Sequence, residues 1–176
     1  QMSKLKRTFV FMEQHVVWEQ VAQNLSRFEE PAAVRGGGAA EPAFAYSARP
    51  AGQAWSELRA AAMGGAPWSV FEAVKSCMHW SDASLARFLR VSEKTLQRAR
   101  LSGKDLGADA AEKALDFAGL LVQGLETFGE GQRFLSWLRT PAPWFDGDVP
   151  ENFVFDRFGR ELVREAVGRV EHGIWS

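Results

Sequence analysis

Cysteine is almost absent from this sequence, with Cys77 the single cysteine in 176 residues. One thiol excludes an internal disulfide and indicates a reducing compartment. Long hydrophobic runs are absent too: no stretch of about 18 apolar residues occurs, so no membrane span is predicted. The first residues include basic side chains but lack the apolar segment and cleavage site of a signal peptide. We therefore expect a cytoplasmic protein that does not bind membranes.

An excess of charge of one sign is also missing. The chain has 21 lysines and arginines against 22 aspartates and glutamates, giving a net charge of -1. A strongly basic nucleic-acid-binding protein is thereby excluded, and any basic surface must be local. Hydrophobic residues make up 46% of the sequence, which is enough to bury a core.

Residues with catalytic or metal-binding chemistry are few and scattered. The three histidines have no metal-ligand spacing: His15, His79 and His172. The run of three glycines at 36–38 lies in a linker and does not predict a phosphate-binding loop. Cys77 lies in an apolar segment and is expected in the core. We expect no enzymatic activity, no metal and no cofactor.

The chain divides at a stretch rich in alanine, glycine and proline, which we take as a linker over residues 31–54. Before it, residues 1–30 carry two apolar helical stripes that are out of phase. They indicate either a helical arm docked on the body or on a partner copy, or a poorly ordered arm. After the linker, no segment alternates like a strand. The sequence predicts an all-α protein.

Several helix boundaries follow from local signals. Pro67 suits the first position of a helix, Ser81 or Asp82 can cap the next, and Ser92 a third. Asp109 can cap a longer helix, and two further helices are predicted over 132–139 and 158–170. The apolar residues of the last repeat with a helical period typical of a face packed on a core: Phe158, Leu162, Val163, Ala166, Val167 and Val170.

The segment DASLARFLRVSEKTLQRAR, residues 82–100, has the form of a helix-turn-helix. The small Ala86 on its first helix allows close approach of the second. A short turn spans 90–92, and Leu96 on the second helix packs back on the first. Such a pair holds its second helix out toward a DNA major groove. We assign residues 55–107 to this domain.

Charge in this segment supports contact with DNA. Residues 85–105 carry six basic and two acidic side chains, an excess that suits phosphate contact. The helix start at Ser92 can face a phosphate, and the other candidate DNA-binding residues are Arg87, Lys94, Thr95, Gln97, Arg98 and Arg100. An ordinary solvated helix face is the alternative, and Glu93 counts against DNA contact.

The C-terminal sequence FGEGQRFLSWLRTPAPWFDGDVPENFVFDRFGRELVREAVGRVEHGIWS carries a second pattern. Its features stand in a fixed order: Phe128-Gly129, Trp137-Leu138, Thr140-Pro141, Gly147, Pro150, Gly159, Leu162-Val163 and the run 168–174. This order resembles the toxin-binding region of the Xre/MbcA/ParS antitoxin family, and the helix pair upstream is similar as well. The resemblance covers residues 66–176. Phe145 and Asp146 depart from the family pattern in the loop, as does ENFVFDRF after it.

The resemblance implies an antitoxin of a type II toxin–antitoxin pair. Such proteins dimerise within a larger complex, bind operator DNA through the helix-turn-helix and cover a toxin with the C-terminal region, here residues 108–176. The usual toxin is of the RES class, which resembles ADP-ribosyltransferases and consumes NAD. The antitoxin itself has no catalysis and no cofactor.

Two segments are candidates for toxin contact. A proline-bounded loop carries Trp144 and Phe145, which suit interface anchors unless they cap the domain's own core. The tail is the other, and we hypothesise that it enters or shades the toxin's active site through Arg169, Glu171, His172, Ile174, Trp175 and Ser176.

Two other functions remain open at this point. A stand-alone helix-turn-helix regulator would use the C-terminal region for dimerisation or sensing. A third possibility is an antitoxin that keeps toxin binding but has lost operator binding. A toxin gene directly adjacent in the genome would favour an antitoxin over a stand-alone regulator.

Overall fold

The structure is a computed structural model that describes Glu19 and residues 21–23, 25–26, 55–103 and 105–171. Within 55–171 the described chain forms seven α-helices and two short 3-10 helices. In order these are α1 Trp55–Gly64, α2 Trp68–Met78, α3 Asp82–Leu89, α4 Glu93–Ser102, α5 Ala108–Phe128, α6 Gly131–Leu138, η1 Pro143–Phe145, η2 Pro150–Phe153 and α7 Arg157–Glu171. The described residues form no strand beyond one isolated antiparallel bridge, Ala66 with Leu106, so the predicted all-α class is confirmed.

Local capping signals set most of the helix starts. The Ser81 hydroxyl accepts a hydrogen bond from the Ser84 backbone amide at 3.1 Å, as predicted for a cap at Ser81 or Asp82. Pro67 is the N-cap of α2, whereas the sequence predicted it at the first position of the helix. The predicted cap at Asp109 is wrong, because α5 begins at Ala108 after Gly107. Asp109 lies in the first turn instead, where a negative charge favours the helix dipole.

The long helix α5 is the centre of the fold, since α1, α2, α6 and α7 all contact it. Ala111, Phe117 and Leu120 on this helix have no exposed surface. A Cβ atom at Gly124 would lie 2.4 Å from the Phe134 ring, so this glycine lets α6 approach α5 closely. The buried residues of the described chain form one cluster that runs through both halves. The residues on either side of the predicted boundary at 107/108 therefore share one core.

The N-terminal helical residues dock on this body. Val21 and Leu25 are one turn apart, and only 3% and 1% of their surface is exposed. The Cys77 thiol donates a hydrogen bond to the Leu25 carbonyl at 3.3 Å. Of the interpretations of the N-terminal arm, the docked helix is therefore confirmed for these residues. The rest of the arm and the linker 31–54 lie outside the described residues.

The last helix buries only part of its apolar stripe. Val163, Ala166 and Val167 are buried, but Phe158 is 76% exposed and Leu162 38%. The prediction that the whole apolar stripe packs on the core is therefore wrong at the N-terminal end of α7. Gly159 and Arg160 occupy the inward positions there, and a helix turns about 100° per residue, so Phe158 faces solvent.

Candidate functional site

The helix pair α3–α4 has the geometry that its sequence predicts. Arg90 ends α3 in the left-handed conformation, with φ 58°, and its amide donates to the Arg87 carbonyl at 3.1 Å. Ser92 then caps α4 by accepting a hydrogen bond from the Thr95 amide at 3.1 Å. Leu96 is 2% exposed, in line with the predicted packing of α4 against α3.

Three candidate DNA-binding side chains are exposed and unengaged. Lys94, Gln97 and Arg98 project from α4, and within the described chain none of them makes a hydrogen bond or ion pair. Arg98 and Gln97 can each present two polar groups to a base edge, whereas Lys94 presents one compact charge. Glu93 is exposed beside them in the first turn.

Ser92 and Thr95 stabilise the start of α4. Their hydroxyl oxygens are 2.8 Å apart, in addition to the capping bond between them. The cap fixes where α4 begins, and the backbone N–H groups of that first turn are the part of a helix that attracts phosphate. Both residues are exposed, so this end of α4 is open to a ligand.

Arg87 and Arg100 are held against the body. The guanidinium carbon of Arg87 lies 4.2 Å from the centre of the Phe155 ring, and that of Arg100 lies 6.0 Å from Trp68. Arg100 also has its Nε 3.6 Å from Glu72 Oε1. Contacts with the body therefore fix the positions of these two arginines, unlike those of the three unengaged side chains of α4.

Residues of the central helix α5 hold the first helix of the pair. Lys113 on α5 donates from Nζ to the Leu89 carbonyl at the end of α3, at 3.1 Å. Burial lowers the pKa of Lys113, and the positive charge of Arg90 lowers it further. Trp80, just before α3, stacks on Phe117 at 5.3 Å between ring centres. The orientation of the helix pair thus depends on contacts beyond residue 107.

The two aromatic candidates in the loop after α6 have different environments. Phe145 is 4% exposed, and its ring lies 4.9 Å from that of Phe153. Of the two interpretations left open for Phe145, the structure supports the cap on the domain's own core. The turn at Asp146, with φ 55°, folds the loop and packs Phe145 inward. Trp144 stays half-buried at the surface, where the Arg169 guanidinium lies 5.7 Å from its ring.

A shallow cavity of about 120 Å³ lies between this loop and α7. Trp144, Leu162 and Arg169 are among the residues that line it. Arg169 is oriented by a hydrogen bond to Glu165 Oε1 at 2.6 Å. The cavity therefore combines apolar walls with one positioned positive charge.

Comparison with protein families identifies both halves of the chain. Residues 57–119 match the antitoxin Xre-like helix-turn-helix domain. Residues 123–173 match the antitoxin Xre/MbcA/ParS C-terminal toxin-binding domain. The chain belongs to the Xre/MbcA/ParS antitoxin family. Among curated proteins, no match to this antitoxin was found.

The matched ranges assign the two surfaces of the antitoxin to different domains. The helix α4 falls within the helix-turn-helix match. Trp144, Arg169 and the exposed Phe158 and Leu162 fall within the toxin-binding match. The antitoxin accordingly has a toxin partner and a DNA-binding motif.

Phe158 and Leu162 are surface residues that sequence reasoning placed on the core. One signal pointed to them: the six apolar residues of α7 spread over roughly half of the helix circumference, wider than one packed face. In the toxin-binding half of the described chain, they are the exposed large apolar side chains.

The end of the tail lies outside the described residues. The helix α7 ends at Glu171, and the candidates His172, Ile174, Trp175 and Ser176 follow it. Among the described residues, no group of three or more His, Cys, Asp or Glu side chains is placed to hold a metal ion. None of the helices described is long and apolar enough to cross a membrane.

Proposed function

We propose that this antitoxin neutralises a RES-class toxin, which would consume NAD, and regulates its own operon by binding operator DNA. The proposal rests on the combination of both matched domains in one chain with a shared core. The first domain presents unengaged basic side chains on α4, and the second presents exposed apolar and aromatic side chains. The antitoxin acts by binding, without catalysis or a cofactor, in the cytoplasm where DNA and toxin are both present.

In the DNA-bound form, Lys94, Gln97 and Arg98 face base edges in the major groove. The start of α4 at Ser92 and Thr95 faces a phosphate. Arg87 and Arg100 supply phosphate contacts at the flanks, which give affinity without sequence information. Two copies bind together, because a helix-turn-helix normally reads two half-sites related by twofold symmetry.

In the toxin complex, Trp144 and Arg169 contact the toxin beside the cavity that they line. Glu171 at the end of α7 and the residues that follow it extend this contact toward the toxin's active site: His172, Ile174, Trp175 and Ser176. Phe145 supports the loop from the core rather than touching the partner.

Co-expression with the product of the adjacent gene tests the proposal. We expect that gene product to stop growth alone, to be rescued by the antitoxin, and to co-purify with it. A RES-class toxin would also deplete cellular NAD before rescue. No complex and no toxicity would leave a stand-alone helix-turn-helix regulator, with its C-terminal half used for dimerisation.

A further inference from the structure

The outer side of α7 carries an unusual pair of exposed apolar residues. Phe158 is 76% exposed and Leu162 38%, and the two are one helical turn apart. Side chains at this spacing are neighbours on a helix surface. Glu165 and Arg169 continue the same line toward the tail, as expected from about 100° of rotation per residue. We refer to Phe158, Leu162, Glu165, Arg169 and Trp144 as the α7 outer face.

The exposure of Phe158 is fixed by its neighbours in sequence. A Cβ atom at Gly159 would lie 2.0 Å from the Phe153 carbonyl oxygen, so the helix touches the η2 backbone there. Arg160 is 4% exposed and its Nε lies 2.6 Å from Asp116 Oδ2. With these two residues facing inward, α7 cannot turn Phe158 into the core without breaking an ion pair and a close backbone contact.

The family match indicates what covers this face. All five residues lie within 123–173, the range matched to the toxin-binding domain, and none lies in the helix-turn-helix match. Large apolar anchors beside an aromatic and an arginine are typical of the centre of a protein interface. The toxin is therefore favoured as the occupant over a second copy of the antitoxin.

We propose that Phe158 and Leu162 insert into an apolar cleft of the toxin and anchor the complex. This inference rests on the toxin-binding function proposed above. From Phe158 to Glu171 the helix spans roughly 20 Å at 1.5 Å per residue. Phe158 and Leu162 hold the N-terminal part of α7 on the toxin, and the rigid helix then determines where the tail at its other end meets the toxin. The cavity lined by Trp144 and Arg169 lies near the tail end of the interface.

The test uses the full antitoxin and a catalytically attenuated form of the toxin encoded by the adjacent gene. Affinity is measured by calorimetry for wild type, Phe158→Ser, Leu162→Ser and the double variant. Met63→Ser is the matched control, because Met63 is 71% exposed and lies outside the toxin-binding match. We expect Phe158→Ser to weaken binding at least about 10-fold, the double variant to weaken it more, and Met63→Ser to change it less than twofold.

Two further measurements make the outcome specific. Melting curves of the variants should match wild type, since both side chains are exposed, and Phe158→Leu should retain most of the affinity. A double variant that binds the toxin as tightly as wild type overturns the inference while the proposed function stands. A double variant that loses self-association but keeps toxin affinity also overturns it, by assigning the face to a second copy. A wild-type chain that fails to bind the toxin overturns the proposed function and the anchor together.

Discussion

Asp116 and Arg160 form an ion pair that joins the central helix to the last helix. Arg160 Nε lies 2.6 Å from Asp116 Oδ2, and Arg160 NH1 donates to the Val154 carbonyl at 3.1 Å. The same guanidinium lies 5.6 Å from the centre of the Phe88 ring on α3. One buried arginine therefore contacts α5, the η2–α7 connection and the first helix of the DNA-binding pair.

Removing the carboxylate should destabilise the fold more than removing a surface charge. Asp116→Asn leaves Arg160 buried without its counter-ion and also removes the ion pair of Asp116 with Arg164. We expect a loss of about 2–3 kcal/mol in unfolding free energy, less than for a fully buried pair because the Asp116 side chain is 32% exposed. Glu165→Gln is the control, since its pair with Arg169 is at the surface, involves neither Asp116 nor its partners, and contributes under about 1 kcal/mol. Urea unfolding measures both, and equal losses would contradict the structural role of the Asp116 pair.

Two glycines on α7 should respond to alanine with opposite signs. Gly159→Ala places a methyl group against the Phe153 backbone and should destabilise by about 1–3 kcal/mol or more. Gly168→Ala meets nothing within 4 Å and should stabilise by up to about 1 kcal/mol, because alanine favours the helix. Thermal melting of the two variants is the measurement. A raised melting temperature for Gly159→Ala would show that α7 is not seated as described.

Acid should weaken the contact between α2 and α3. The hydrogen bond from Lys75 is the main cause that lowers the pKa of Asp82 below the usual range of an aspartate, and the Lys75 charge lowers it further. A carboxylate with a depressed folded pKa contributes stability above the unfolded pKa, and loses it as pH falls through the folded pKa. Asp82→Asn should therefore be less stable than wild type at neutral pH, and this difference should vanish in acid, once the pH has fallen through the folded pKa of Asp82. Unfolding curves across pH test this, and a difference that persists in acid would point to another cause.

Operator binding should depend on the unengaged side chains of α4. If Arg98 contacts a guanine, Arg98→Ala should weaken binding by about 1–3 kcal/mol and relax sequence preference at one position. Lys94→Ala should lower the salt dependence by about one ion if Lys94 contacts a phosphate instead. Fluorescence anisotropy on the operator at several salt concentrations separates the two. Unchanged affinity and salt slope for Arg98→Ala would exclude it as a DNA contact.

Neutralisation should require the end of the chain. A variant truncated after Gly168 loses Arg169 and the tail, and it should fold while protecting cells from the toxin less well. Growth rescue and a melting curve are measured on the same variant, with Trp175→Ala as a milder change. Full rescue by a folded truncated chain would exclude the tail from the toxin's active site.

Features that depend on neighbours in sequence were predictable from the sequence, and features that depend on distant packing were not. The cap at Ser92 and the turn before it need only a few adjacent residues, and both are confirmed. Phe145 and Trp144 are neighbours in the same loop, yet a turn and a contact with Phe153 bury Phe145 and leave Trp144 at the surface. Similarly, Phe158 and Val163 both belong to one apolar stripe, and the inward position of Arg160 separates them. The DNA and toxin contacts themselves remain predictions.

The continuity of α5 constrains how this protein can change in length. The two family matches end at 119 and resume at 123, inside the single helix Ala108–Phe128. One inserted residue there would rotate the rest of α5 and the elements that follow it by about 100° and shift them by about 1.5 Å along the helix axis. Arg160 would then be misaligned with Asp116, and Phe155 with Trp80. Insertions and deletions should therefore be tolerated best in the exposed turn 146–148. An exchange of toxin-binding halves between relatives needs a join within α5 that preserves helical phase.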